Sequence, residues 1–124
     1  MAKLVFNYTF MRKEYDLENF GKDEIYIGRM EQNDITIPDY VLFKKLPLET
    51  QKLYIKDLVK ISRIHSKLIK IGNNWFIEDI GTKGLGSNFG TYVNDARLEV
   101  QKPYKLENND KIKFGPFICT FVEE

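Results

Sequence analysis

The sequence predicts an all-β chain: an antiparallel β-sandwich of about ten or eleven short strands, with one short helical insertion around residues 46–59. Three observations carry this expectation. Apolar residues recur in short runs, turn residues punctuate the runs at similar intervals, and aromatic residues are abundant, with nine Phe, seven Tyr and one Trp. Flat and branched side chains fit the pleated, half-buried surface of a sheet. At 124 residues the chain has the size of one domain, and no linker or internal repeat divides it, so 1–124 is expected to fold as a unit.

The elements follow in order. Residues 3–10 form a first apolar run, then polar Met11-Arg12-Lys13-Glu14 leads to a short return at 15–17. Residues 24–29 alternate apolar and polar up to Gly28-Arg29. Asn33-Asp34 introduces Ile35-Thr36-Ile37, and Pro38-Asp39 stops it. Residues 67–71 and 75–80 flank Gly72-Asn73-Asn74, a hairpin signature. Residues 91–93 and 97–100 flank Asn94-Asp95 in the same way, and 111–114 and 117–122 flank Gly115-Pro116. One stretch breaks this rhythm. Between 46 and 59 the apolar pairs Tyr54/Leu58 and Ile55/Val59 stand four apart behind Pro47, the spacing of a short helix.

Composition narrows the function classes. Nineteen basic against eighteen acidic residues leave a net charge of +1, so nothing draws the whole molecule to nucleic acid or to an anionic membrane. Anion recognition, if present, is local. One cysteine, Cys119, lies in an apolar run and reads as a small buried hydrophobe. With a single Cys and a single His, a four-ligand Cys/His metal site is excluded. The first residues lack the apolar core of a signal peptide, and no run reaches membrane-spanning length. The expectation is a cytoplasmic protein, or a nuclear one if the source is eukaryotic. The Asn7-Tyr8-Thr9 sequon is then coincidence.

Enzyme signatures fail one by one. The glycine-rich stretch Lys83-Gly84-Leu85-Gly86-Ser87-Asn88-Phe89-Gly90 sets its third glycine one place too late for a dinucleotide fingerprint and precedes a strand rather than a helix. No phosphate-cradling Gly-Lys-Ser/Thr loop occurs. The sole histidine, His65, has Ser62 and Ser66 nearby but no Gly-x-Ser-x-Gly elbow. Glu78 and Asp79 point to opposite sides of a strand and do not converge. No catalytic residues, cofactor or metal are therefore expected.

What remains is an ordered constellation. Gly28-Arg29, with Asn33-Asp34-Ile35 behind it, is followed by Ser62-Arg63-Ile64-His65. Then come Asp79-Ile80-Gly81 leading to Gly90-Thr91-Tyr92-Val93-Asn94, and finally Leu106 with Asp110-Lys111-Ile112-Lys113-Phe114-Gly115. No single piece is specific, but the set in this order resembles the forkhead-associated (FHA) domain, over about four-fifths of the chain. The resemblance implies a sandwich whose loops bind phosphothreonine on a partner protein, downstream of a protein kinase and without a cofactor. It implies Arg29 and Ser62 as the principal phosphate contacts, with Arg63, Asn88, Thr91 and Asn94 as further contacts to the phosphopeptide. His65 is expected to brace the loop by hydrogen bonds, and Gly28 and Gly90 to be tight-turn positions. Such chemistry is sound on its own terms. An arginine fork after a strand can meet two phosphate oxygens, and a serine offers a hydroxyl and a backbone N–H to a third.

Two departures from the family pattern stand out. Phe89 occupies the place before Gly90 where an asparagine is common, with the amide of Asn88 one residue earlier, and the loop 81–86 is long and glycine-rich, which suggests mobility. The second departure is an insertion of roughly twenty residues after Asp39, well beyond the usual loop length. It supplies either a peptide-reading ledge or second protein contact beside Ser62, or only a cap on the sandwich. The alternative function is accordingly a degenerate FHA domain that binds proteins without phosphate, through 40–60. Lys44-Lys45 reads as a solvated loop and Trp75 as core.

Overall fold

The computed structural model describes residues 1–124 as two β-sheets closed over one apolar core. The eleven strands are β1 (Ala2–Phe6), β2 (Glu14–Asp16), β3 (Glu24–Gly28), β4 (Ile35–Thr36), β5 (Ser66–Ile71), β6 (Asn74–Asp79), β7 (Thr91–Val93), β8 (Ala96–Arg97), β9 (Tyr104–Lys105), β10 (Lys111–Phe114) and β11 (Phe117–Glu123). Helices α1 (Tyr40–Lys44) and α2 (Leu48–Leu58) stand between β4 and β5, and a 3₁₀ turn covers Leu17–Phe20. One sheet runs β2-β1-β11-β10-β7-β8 and the other β4-β3-β5-β6-β9. All strand pairs are antiparallel except β3–β4, which is parallel. The all-β sandwich expected from the sequence is the observed fold.

Period-two patterning decides which side chains enter the core. Leu4, Phe6, Ile112, Phe114 and Phe121 come from one sheet, and Ile25, Ile27, Leu68, Trp75 and Ile77 from the other. Each such side chain contributes about 1.5–3 kcal/mol on burial. Trp75 satisfies its indole N–H on Glu18 at 3.1 Å. Cys119 is buried with the core, and burial pushes its thiol pKa far up, so it stays protonated.

The hairpins close where local turn chemistry demands. Register pairs Ile71 with Asn74 across Gly72-Asn73, and Phe114 with Phe117 across Gly115-Pro116. Asn94 and Asp95 both adopt positive φ, +49° and +71°, the signature of a type I′ turn whose twist suits the flanking strands. Two expectations need correction, and one element is new. The run 3–10 is a strand only to Phe6, because Phe10 turns inward to stack among Tyr8, Tyr54 and Phe117 at 4.8–5.2 Å between ring centres. The strand expected at 97–100 ends at Arg97. Residues 40–44 form a helix that the sequence reading did not anticipate.

The insertion has a plain structural task. Asp39 caps α1 by accepting from the Leu42 N–H at 3.1 Å. Along α2, Leu58 is buried and Tyr54 packs its ring on Phe10, so the helix covers one end of the sandwich. The chain then leaves α2 through Ile61, which is fully buried and fixes the start of the loop that carries Ser62.

Candidate functional site

Three loops meet at one end of the sandwich: the one after β3, the one between α2 and β5, and the one between β6 and β7. They line an open cleft of about 570 Å³ that holds Arg29, Ser62, Arg63, Lys83 and Asn88, with Val59 and Leu85 at its apolar edge. Residues more than thirty positions apart are fastened together here. The Arg29 N–H donates to the Ser62 carbonyl at 3.1 Å, and the Met30 N–H to the Arg63 carbonyl at 3.1 Å. The Arg29 side chain donates from Nε to the Ile61 carbonyl at 3.0 Å, which fixes the guanidinium plane and leaves both Nη groups without a protein acceptor. The Tyr40 hydroxyl, delivered by α1, donates to the Arg29 carbonyl.

Close approach explains the glycine before this arginine. A Cβ on Gly28 would collide with the Arg63 carbonyl oxygen, and the Asn33 amide would lie 2.8 Å away. Asn33 spends that amide on the Met30 and Arg63 carbonyls, at 2.8 and 2.7 Å. Gly28 is therefore the last residue of a strand, kept small so that the Ser62–Arg63 segment can press against it. The tight-turn reading is corrected. Gly90 does adopt a left-handed φ of +87°, and its carbonyl and N–H are both bonded within the protein.

His65 is completely buried beneath the loop. The Ser62 N–H donates to Nδ1 at 3.1 Å, so the proton of the neutral ring sits on Nε2, which donates to the Gly90 carbonyl at 2.9 Å. One imidazole thus ties the Ser62 loop to the Gly90 turn. Burial pushes its pKa down, while the Gly90 carbonyl and the Asp79 charge oppose that shift. This geometry also corrects an expectation about Ser62. Its backbone N–H is committed to His65, and what it offers to solvent is the hydroxyl, which accepts from the Asn88 N–H at 3.1 Å and keeps its own proton to donate.

A second buried node lies alongside. The Asp79 carboxylate accepts from the Ser87 hydroxyl at 2.6 Å, the Ser87 N–H at 3.2 Å and the Thr91 hydroxyl at 2.7 Å. Since Thr91 donates to Asp79, the Ser66 hydroxyl donates to Thr91, at 2.7 Å. Thr91 is fully buried with its hydroxyl engaged, so its expected ligand contact is corrected to a strut. Asn94 is corrected likewise. It stands at the far end of β7, where its side chain donates to Asp110 at 2.8 Å and accepts from the Lys111 N–H at 2.9 Å.

The cleft is electrostatically one-sided. Arg29, Arg63 and Lys83 form no ion pair with any carboxylate, and no acidic residue lines the cleft. Lys83, Asn33 and Asp79 escaped the sequence reading as site residues. A cation within a glycine-rich loop was the available sign for Lys83, and an acid at the inward strand position after Trp75 and Ile77 was the sign for Asp79. The loop 81–86 is itself tied down, by Gly86 N–H to the Ile80 carbonyl at 2.9 Å and by the Gln101 amide to the Gly84 carbonyl.

Solved structures share this architecture. The chain resembles an FHA domain from a study of phosphothreonine-dependent FHA domain interactions, with a TM-score of 0.67 at 20% identity, covering 99% of this chain and 96% of that one. It resembles the FHA domain of the CT664 protein of Chlamydia trachomatis, with a TM-score of 0.65 at 22% identity over 99% and 97%. It also resembles Mycobacterium tuberculosis EmbR in complex with a low-affinity phosphopeptide, with a TM-score of 0.65 at 23% identity; that match covers 98% of this chain and 24% of the EmbR chain. A search of curated proteins returns no match. The family model for the FHA domain matches residues 25–115, a span holding every loop of the cleft, and the chain belongs to the FHA domain family.

Proposed function

We propose that the cleft binds a phosphothreonine on a partner protein, and that the chain is a binding module, not an enzyme, which recruits that partner once a kinase has acted on it. The observation that carries this reading is the pairing of Arg29 and Ser62: a fixed guanidinium with two free Nη groups, beside a hydroxyl with a proton to donate. A phosphothreonine brings about −1.5 to −2 charges and three acceptor oxygens. Arg29 takes two oxygens as a fork, and Ser62 takes the third. Arg63 and Lys83 supply attraction without an acid to cancel it, and the Asn88 side chain reaches the peptide beside the phosphate. Threonine is preferred to serine, in keeping with the phosphothreonine-dependent interactions for which a similar FHA domain was studied.

Support also comes from two similar structures, one studied for phosphothreonine-dependent interactions and one solved with a phosphopeptide. Fluorescence anisotropy on a phosphothreonine peptide library and its unphosphorylated counterpart tests the proposal. The phosphorylated pool binds and the other does not. Equal affinity for both pools defeats it.

A further inference from the structure

The inserted helix does more than cover the sandwich. Its inner face is spent on Leu58 and Tyr54, yet Leu48, Ile55 and Val59 are 72%, 48% and 58% exposed. Positions 48, 52, 55 and 59 follow spacings of four, three and four, so they share one face of α2 and its end. At about 1.5 Å per residue this stripe runs roughly 16 Å. Its last member, Val59, is already in the wall of the cleft that holds Arg29 and Ser62. The apolar track and the anion cleft are therefore continuous.

Charge accompanies the stripe. Residues 40–60 carry Lys44, Lys45, Lys52, Lys56 and Lys60 against only Glu49 and Asp57, five minus two, or +3, within a chain whose total is +1. We propose that the exposed stripe Leu48–Lys52–Ile55–Val59 is a second recognition surface for the phosphorylated partner itself. It receives a flanking segment with aliphatic side chains and acidic residues between them. Extended chain advances about 3.3 Å per residue, so the stripe spans about five residues, beginning about two from the phosphothreonine. This rests on the phosphothreonine reading above and gives it sequence specificity: phosphate anchors the peptide, and the helix selects which phosphothreonine is kept.

The test is affinity selection from a peptide library with phosphothreonine fixed and eight positions randomised on either side. Wild-type protein enriches aliphatic and acidic residues on one side of the phosphothreonine, at about positions two to seven. Ile55→Ser and Leu48→Ser lose the aliphatic enrichment, and each weakens the selected peptide about tenfold while leaving capture of an alanine-flanked phosphothreonine peptide unchanged. Lys52→Glu loses the acidic enrichment without touching the apolar residues. Two outcomes overturn the proposal while sparing phosphothreonine binding: no enrichment beyond the immediate neighbours, or the same enrichment in the variants. Capture of the unphosphorylated library through Ile55, unaffected by Arg29→Ala, overturns it by assigning the stripe to a separate partner. Failure of wild type to distinguish the two libraries removes both readings.

Discussion

Neighbours in sequence divide into two opposite kinds of region at this end of the molecule. Ser62 and His65 belong to one short motif, as Asn88 and Ser87 do to another, yet the first of each pair opens onto the cleft and the second is buried, His65 beneath the loop and Ser87 in the cleft wall. The outer region, with Arg29, Ser62, Arg63 and Lys83, keeps donors unspent and charges unpaired. The inner region, with His65, Asp79, Ser87 and Thr91, spends every side-chain polar atom on another part of the protein. The comparison separates two requirements of an anion site. Something must have donors to offer, and something else must have none left, so that it holds the first group still. An exposed arginine on a mobile loop would lose its fork geometry to side-chain and backbone entropy.

The inner region is where substitution costs stability most. Asp79→Ala strands the Ser87 N–H and hydroxyl and the Thr91 hydroxyl without their acceptor, and urea unfolding should show a loss of about 3–4 kcal/mol. Thr91→Val keeps the shape and removes one hydroxyl, so the loss should be about 1–2 kcal/mol, with affinity per folded molecule unchanged. An affinity loss in Thr91→Val at full folding would break the inner–outer division there.

His65 gives the inner region a pH signature. Its folded-state pKa is lowered from 6.5, so the unfolded chain takes up the proton first and acid favours unfolding. Its contribution is fully present above about pH 6.5 and declines as the pH falls from there through the folded value. Unfolding free energies at pH 7.5 and 5.5 should differ by about 1 kcal/mol or less on this account, and His65→Gln should flatten that difference. The smallest effect belongs to the rim. Lys83→Ala should weaken phosphopeptide binding about three- to fivefold at low salt and less at high salt, with no change in the urea midpoint, because a single exposed charge acts through a screened field.

The same division explains what the sequence disclosed. Hairpin turns at Gly72-Asn73, Asn94-Asp95 and Gly115-Pro116 were legible because backbone sterics at those residues set the turn locally. The α2 helix was legible from the spacing of Tyr54, Ile55, Leu58 and Val59. The convergence of Arg29 with Ser62 was legible only through the order of motifs. Whether a motif residue offers its polar atoms or spends them was not, since that depends on partners far along the chain: Thr91 is decided by Asp79 and Ser66, Asn94 by Asp110 and Lys111. Tyr104–Lys105 escaped notice as a strand because two residues carry no periodicity. Phe10 broke its expected strand because an aromatic cluster with Tyr54 and Phe117 outcompetes local β-preference. For α1, the signal was present in Asp39 as a cap, but Pro38 masked it.

The most direct measurement pairs two readouts on Arg29→Ala: anisotropy with a phosphothreonine peptide selected by the wild type, and urea unfolding of the same preparation. The division of labour predicts affinity down more than about 100-fold, from loss of a charged fork worth about 3 kcal/mol, with the unfolding midpoint close to wild type. Affinity within about threefold of wild type would contradict it, since that is less than 1 kcal/mol and far below what the loss of a charge-assisted fork costs.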